Sequence, residues 1–367
     1  MSRTYSALVR NRSGLCVEEW RQAPGKATMR ILLVGVCGTD LQILRQVRPD
    51  AARVLGHEGL AEATSEAGGV RHVVFNPVDE SDQDRILGHS YDGLLRQVVP
   101  AGEASRLFEV DPALPADLAV LIEPLAAVLY GWQLMTTATS LRTLGIWGAG
   151  TTAVLTALVA EVHGVAARLY HDRPARLRYL RSLNVVPAAT LAGMRAADHV
   201  DAAALCVARE GTRDALAQAV TSVRPGGVVD LFGGFTGGDR HPSVPDVDLG
   251  TVRRANACGN PDPGRTFAVR TVSGREILLV GHRGTADRHF HAAQRMLLDH
   301  RERFGRLLTH IISLPRAAAL LPRFANTTGR ADPDRDPHLK VVVDLGLSAD
   351  RRTPRLDRTV GDLAAGR

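Results

Sequence analysis

Lysine is almost absent from this chain of 367 residues: Lys26 and Lys340 are the only two, although Lys and Arg together number 45. Arginine therefore carries nearly all of the positive charge behind the formal net charge of +6 and the pI of about 9.5. The arginines are spread along the chain with acids between them, and aromatic residues make up only 4 % of it. A basic surface interleaved with aromatic rings, as nucleic-acid binding requires, is missing, so no nucleic-acid partner is expected. Cysteine is scarce as well. Cys16, Cys37, Cys206 and Cys258 are scattered too widely to suggest a disulfide framework, which favours a reducing compartment. No apolar run approaches the roughly 20 residues that a membrane-spanning helix needs. The start, Met1-Ser2-Arg3-Thr4-Tyr5, has no basic region followed by an apolar stretch. These absences point to a cytoplasmic protein without a membrane partner. No internal repeat is found.

What is present is enough for two domains with real cores, since hydrophobic residues make up 45 % of the chain. The informative stretch runs from Val36 to Gly59. It reads Val36-Cys37-Gly38-Thr39-Asp40 and then Leu55-Gly56-His57-Glu58-Gly59. A thiolate, an imidazole and a carboxylate together suit zinc, and three protein ligands leave a fourth position for water or substrate. Alone, Cys37 is more simply a small buried apolar residue, and His57 alone is more simply structural. Each gains weight from the other and from the glycines beside them.

Much further on, an apolar strand runs into Gly148-Ala149-Gly150-Thr151-Thr152-Ala153 and then an apolar helix over 152–162. This fits Gly-x-Gly-x-x-Ala in its required context: a tight turn, a close backbone approach to a pyrophosphate, and donors at a helix start. A second strand over 167–170 ends at His171-Asp172-Arg173. Asp172 lies about twenty residues past the glycines, where a carboxylate meets ribose hydroxyls and repels a 2′-phosphate. NAD is expected over NADP, with Arg173 as the counter-indication. Apolar strands over 201–207, 227–233 and 276–281 alternate with helical stretches, the pattern of a doubly wound parallel sheet. Further readings are a helix over 118–135, a strand over 94–99, a helix over 289–300 and a last strand from Leu339 to Asp344.

Taken together, Cys37-Gly38-Thr39-Asp40, Gly56-His57-Glu58, Glu123-Pro124-Leu125, Gly148-Ala149-Gly150 and Arg224-Pro225-Gly226-Gly227 resemble the zinc-dependent medium-chain dehydrogenases and reductases, the alcohol and polyol dehydrogenase superfamily. In metal-site pattern the resemblance is to sorbitol, threonine and cyclitol dehydrogenases. It implies an α/β protein with a GroES-like β-barrel catalytic domain over 1–135 and 286–347 and a Rossmann domain over 136–285. It implies one catalytic zinc held by Cys37, His57 and the acids Glu58 and Glu123, with Glu58 either a direct ligand or a carboxylate exchanging with substrate or water. Asp40 would orient the ligand histidine, Thr39 would relay the alcohol proton, and the turn at Gly233-Gly234 would lie near the nicotinamide. Relatives are commonly dimers or tetramers, so a homo-oligomer is expected.

The chain departs from the commonest pattern in one respect. Many relatives carry four closely spaced cysteines binding a structural zinc, but no cysteine lies between Cys37 and Cys206 here, so no structural zinc is expected. A polar loop with Asn76, Asp79, His89 and Tyr91 stands in its place. Residues 348–367 lack periodicity and read as a disordered tail. The expected activity is the NAD-linked interconversion of a secondary alcohol and a ketone on a small hydroxylated substrate: a polyol, a sugar or an (amino)cyclitol. The alternatives are a zinc-free NAD(P)H-dependent reductase of the same superfamily and a non-catalytic NAD-binding protein.

Overall fold

The computed structural model describes residues 4–12, 14–22, 27–64, 69–102, 106–193, 199–327, 337–347 and 350–365. In chain order these form β1 (Thr4–Asn11), β2 (Gly14–Arg21), β3 (Thr28–Gly35), α1 (Gly38–Leu44), β4 (Glu58–Thr64), β5 (Val70–Phe75), β6 (Val98–Pro100), β7 (Leu107–Glu109), a 3-10 segment (Ala116–Leu121) and α2 (Ile122–Ala138). Then come β8 (Thr143–Trp147), α3 (Thr151–Val162), β9 (Ala166–His171), α4 (Pro174–Leu183), β10 (Leu191–Gly193), β11 (Val200–Leu205), α5 (Thr212–Ser222), β12 (Val223–Asp230), α6 (Leu249–Arg254), β13 (Asn256–Ala257), β14 (Phe267–Arg270), β15 (Glu276–Val280) and β16 (His282–Arg283). The chain ends with α7 (Asp287–Asp299), α8 (Arg301–Gly305), β17 (Leu308–Ser313), α9 (Leu314–Thr327), β18 (Lys340–Asp344) and α10 (Val360–Ala365). Two compact units result: Met1–Pro124 with Phe290–Arg367, and Leu125–His289. The sequence boundaries at 135 and 286 thus differ from these, because α2 from Leu125 onward and the first turn of α7 fall in the second unit.

The first unit is the GroES-like barrel. β1 and β2 form an antiparallel hairpin, and the main sheet runs β17-β18-β3-β4-β5-β7, with β6 also paired to β3. β-branched and aliphatic residues on these strands close the core, with Val34, Val73, Phe75, Val341 and Val343 almost fully buried. The amphipathic α9 lays Ala317, Leu321 and Phe324 on the same core.

The second unit is the Rossmann fold. Its sheet runs β10-β9-β8-β11-β12-β15-β14. The first six strands are parallel, in the doubly wound order, and β14 adds an antiparallel edge. The order reverses between β8 and β11, and the carboxyl ends of strands at such a switch point form the ligand crevice of this architecture.

Three expectations need correction. The strand expected over 94–99 shrinks to β6, because Leu94 and Leu95 donate their N–H groups to the loop carbonyls of Gly56 and Leu55. The helix expected over 118–135 is longer, and Ala116–Ala138 is long and apolar enough to cross a membrane by length and composition. Its apolar stretch is 83 % buried in the protein, so the run belongs to the core. Finally, the tail expected to be disordered is ordered over 350–365, the rest of the stretch 348–367 lying outside the described residues, with Val360 only 1 % exposed and Arg351 bridged to Ile311 of β17. Its arginines and aspartates are partners for groups far away in sequence, which local periodicity does not report.

Candidate metal and cofactor sites

In the barrel unit, Cys37 caps the N-terminus of α1. Its sulfur accepts from Thr39 N at 3.5 Å, while Asp40 Oδ2 accepts from Cys37 N at 2.9 Å. The other oxygen of Asp40 accepts from Gly56 N at 3.2 Å. Fully buried, Asp40 therefore ties the loop carrying Cys37 to the loop carrying His57. This differs from the expected role: the carboxylate holds the two backbones, and His57 Nδ1 is buried without a hydrogen bond among the described residues. Ligand atoms of Cys37, His57 and Glu58 lie within 4.8 Å of one another. A half-buried thiol, a ring nitrogen left without a partner and a buried carboxylate fit a zinc ion.

Glu58 opens β4 and is ion-paired with the ammonium of Lys340 at the start of β18. Lys340 also donates to Val36 O at 3.1 Å. The pair lies over Gly35 of β3, where a Cβ would meet Glu58 Oε2 at 2.6 Å and Lys340 Cε at 2.9 Å. Burial pulls Lys340 down to about 8, against the attraction of Cys37 and Asp40. Burial and then Asp40 push the Cys37 thiol up, with Lys340 and the Thr39 N–H working the other way. Burial also raises Glu123, which is opposed by His57 and reinforced by Asp40. Glu123 is thus within electrostatic reach of the cluster. Thr39 sits half-buried in the first turn of α1. Of the polar loop, His89 stands edge-on to His57 with ring centroids 4.8 Å apart, Asn76 is buried, Asp79 accepts from Ser81 and Tyr91 lies under Arg85.

In the Rossmann unit, Gly148 follows β8 with φ +131°. A Cβ there would collide with the carbonyl oxygen of Cys206, at the end of β11. Only glycine permits this approach at the switch point. Gly150 caps α3 without a side chain, and Thr151 and Thr152 open the helix, so their N–H groups are donors for an anion. Asp172 is 74 % exposed and lies 3.3 Å from His171 Nδ1. Arg173 caps α4, and Gly233 follows β12 with open space around its Cα. The residues expected to bind the cofactor therefore sit at the carboxyl ends of β8, β9 and β12.

Arg176 and Lys340 escaped the sequence reading of the sites, and His89 was only partly placed. Arg176 reaches from α4 to hold the glycine turn, donating from Nε and Nη2 to Ala149 O at 2.9 and 2.7 Å. His89 was placed in the loop but not against His57. Lys340 carried a usable signal, since a lysine retained in so arginine-rich a chain stands out.

No family model matches the chain. Over 186 residues it is 31 % identical to a glucose 1-dehydrogenase of Thermoproteus tenax, covering 43 % of this chain and 53 % of that protein. The chain thus matches about half the length of that relative. Among solved structures, L-idonate 5-dehydrogenase of Escherichia coli superposes with a TM-score of 0.68 at 17 % identity, covering 94 % of this chain and 99 % of that one. A dehydrogenase of Sinorhizobium meliloti, described as zinc-binding and bound to NADP, gives 0.66 at 18 % identity over 93 % and 99 %. At these identities the likeness establishes the fold, a GroES-like barrel with a Rossmann domain as in the medium-chain dehydrogenases.

Proposed function

We propose that the chain is a zinc-dependent dehydrogenase that interconverts a secondary alcohol of a polyol, sugar or (amino)cyclitol and its ketone with NAD(H). The observation that carries this reading is the convergence of Cys37, His57 and Glu58 within 4.8 Å in the barrel unit. Glu123, whose carboxyl is raised by burial against the attraction of His57, is assigned as a further donor. A zinc ion in such a set supplies Lewis acidity toward a substrate hydroxyl, and a nicotinamide dinucleotide supplies the hydride acceptor or donor.

The chain's own residues do the rest. Asp40 locks the two ligand loops together. Lys340 engages one oxygen of Glu58, leaving the other for an ion or a substrate hydroxyl. The Thr39 hydroxyl, two residues from Cys37, is assigned to passing the alcohol proton outward. In the Rossmann unit, the turn Gly148–Gly150 and the start of α3 bind the pyrophosphate. The Asp172 carboxylate meets the adenosine ribose and favours NAD over NADP. Support for a polyhydroxy substrate comes from the acids of the site and from relatives named for glucose and L-idonate.

Metal stoichiometry by elemental mass spectrometry, with NAD and NADP binding on the same sample and turnover on glucose, idonate, sorbitol and inositols, tests the reading. About one zinc per chain, as a single catalytic site requires, with NAD-linked oxidation of one of these alcohols, is the expected result. A chain purified without chelator that binds NAD but no zinc would overturn it in favour of a zinc-free reductase or a binding protein.

A further inference from the structure

The segment Asp350–Ala365 makes a dense set of contacts within the barrel unit that the proposed function leaves unused. Asp117, on the 3-10 segment Ala116–Leu121, is only 3 % exposed. Its carboxylate is met by Arg351, whose Nη1 donates to Oδ2 at 2.6 Å and Nη2 to Oδ1 at 2.8 Å. Arg355 N donates to the same Oδ2 at 2.5 Å. Such a two-pronged fork fixes orientation as well as charge. The main chain adds to it. Ala116 N donates to Arg358 O at 3.0 Å, Val360 N to Leu114 O at 2.7 Å and Gly361 N to Pro112 O at 2.8 Å. On its other side Arg351 exchanges both backbone bonds with Ile311 of β17, at 2.9 and 2.8 Å. The segment therefore bridges a strand of the sheet to the run 112–117.

What that run carries gives the bridge its meaning. The 3-10 segment packs on β3 and β4, the strands that lead to Cys37 and begin at Glu58. It passes without a break into α2, whose second residue is Glu123. Short 3-10 pieces have poor internal hydrogen bonding and rely on outside contacts. Here Pro115, at the cap position, offers no side-chain hydrogen bond. The missing cap is replaced by the carbonyl of Arg358, which accepts from Ala116 N, while the fork of Arg351 holds the Asp117 side chain.

We propose that residues 350–365 are a strap whose Arg351, acting through Asp117, positions Glu123 beside the Cys37–His57–Glu58 cluster. Arg351 touches neither substrate nor cofactor and is a positioning residue. The metal-related part rests on the reading of that cluster as a zinc site; the positioning part does not.

Two measurements on the full chain test it. In metal-free protein, Arg351→Ala should speed amide exchange of the 112–124 peptide while the β8–β9 peptides stay unchanged. In metal-loaded protein, competition with a chromogenic chelator should show zinc affinity falling about 10- to 100-fold, the usual effect of losing a group that orients a ligand. NAD binding should be unaltered. Arg351→Lys keeps the charge without the fork and should fall between wild type and Arg351→Ala. If Arg351→Ala does not fold, Arg351→Lys decides: weakened zinc binding at an unchanged melting temperature supports the strap, and wild-type zinc binding overturns it. Unchanged exchange in the 112–124 peptide of folded Arg351→Ala overturns the positioning role outright. A wild-type chain that binds no zinc, with faster exchange in the variant, overturns the zinc reading and keeps the strap.

Discussion

The barrel unit and the Rossmann unit build their sites from different materials. The barrel unit gathers buried ionisable side chains into one cluster, in which Cys37, Asp40, His57, Glu58, Glu123 and Lys340 each perturb or neutralise a neighbour. The Rossmann unit builds its site from backbone, with a glycine turn, helix N–H groups and an exposed Asp172. Its buried charges lie elsewhere and have opposite fates on adjacent strands. Asp201, on β11, would be raised by burial. Hydrogen bonds from Arg142 N, the Arg224 guanidinium and Thr143 instead hold it down, to about 2. Asp230, at the end of β12, has Oδ1 without a hydrogen bond among the described residues, and burial pushes it up to about 7 against the pull of Arg253. Burial alone therefore does not fix the charge of a carboxylate; the number of donors aimed at it does.

The largest expected effect tests the side-chain cluster. Cys37→Ala should remove the zinc and lower kcat/KM at least ~10³-fold, about 4 kcal/mol of transition-state stabilisation, with NAD binding intact. Full activity in a metal-free Cys37→Ala protein would dissolve the contrast between the two sites. The second effect concerns Asp230. Its folded-state pKa is raised, so its contribution to stability is complete below pH ~4 and is lost as pH rises through about 7. Asp230→Asn should raise stability at pH 8 by up to about 4 kcal/mol and leave it nearly unchanged at pH 4. Melting curves at the two pH values measure this, and equal shifts at both would show that ionisation is not the cause. The third and smallest effect tests the backbone site. Gly148→Ala forces a side chain into a left-handed conformation facing Cys206 O, a strain of about 1–3 kcal/mol. NAD affinity should drop roughly 10- to 100-fold with zinc content unchanged, as read by calorimetry and elemental analysis.

Much of this was legible in the sequence because the signals are local. The turn at Gly148 needs a glycine wherever a strand must enter a helix over a pyrophosphate, and the strands of the Rossmann sheet announce themselves as short apolar runs between helices. The stretch around Cys37 and His57-Glu58 was readable for the same reason, since flanking glycines and a capping Asp40 leave a pattern within a few residues. The strap failed that test. Arg351, Arg355 and Thr359 have no periodicity, and their partners Asp117 and Pro115 lie more than two hundred residues earlier. The long helix was legible as a helix but was read too short, as 118–135 against Ala116–Ala138, because Pro115 and the 3-10 turn at its start leave no periodic signal.

By itself the sequence determined the two-domain α/β plan, the glycine turn and the candidate donors Cys37, His57 and Glu58, through short-range backbone geometry and side-chain chemistry, while Glu123 came from the family resemblance alone. Only the tertiary structure decided what those donors face. Gly35 of β3 lies opposite Glu58 of β4 on one side and Val342 of β18 on the other, and it has no side chain to fill the space between. Lys340 therefore reaches Glu58 across 282 residues of sequence. A buried carboxylate needs a counter-charge, and only strand order could bring one to it.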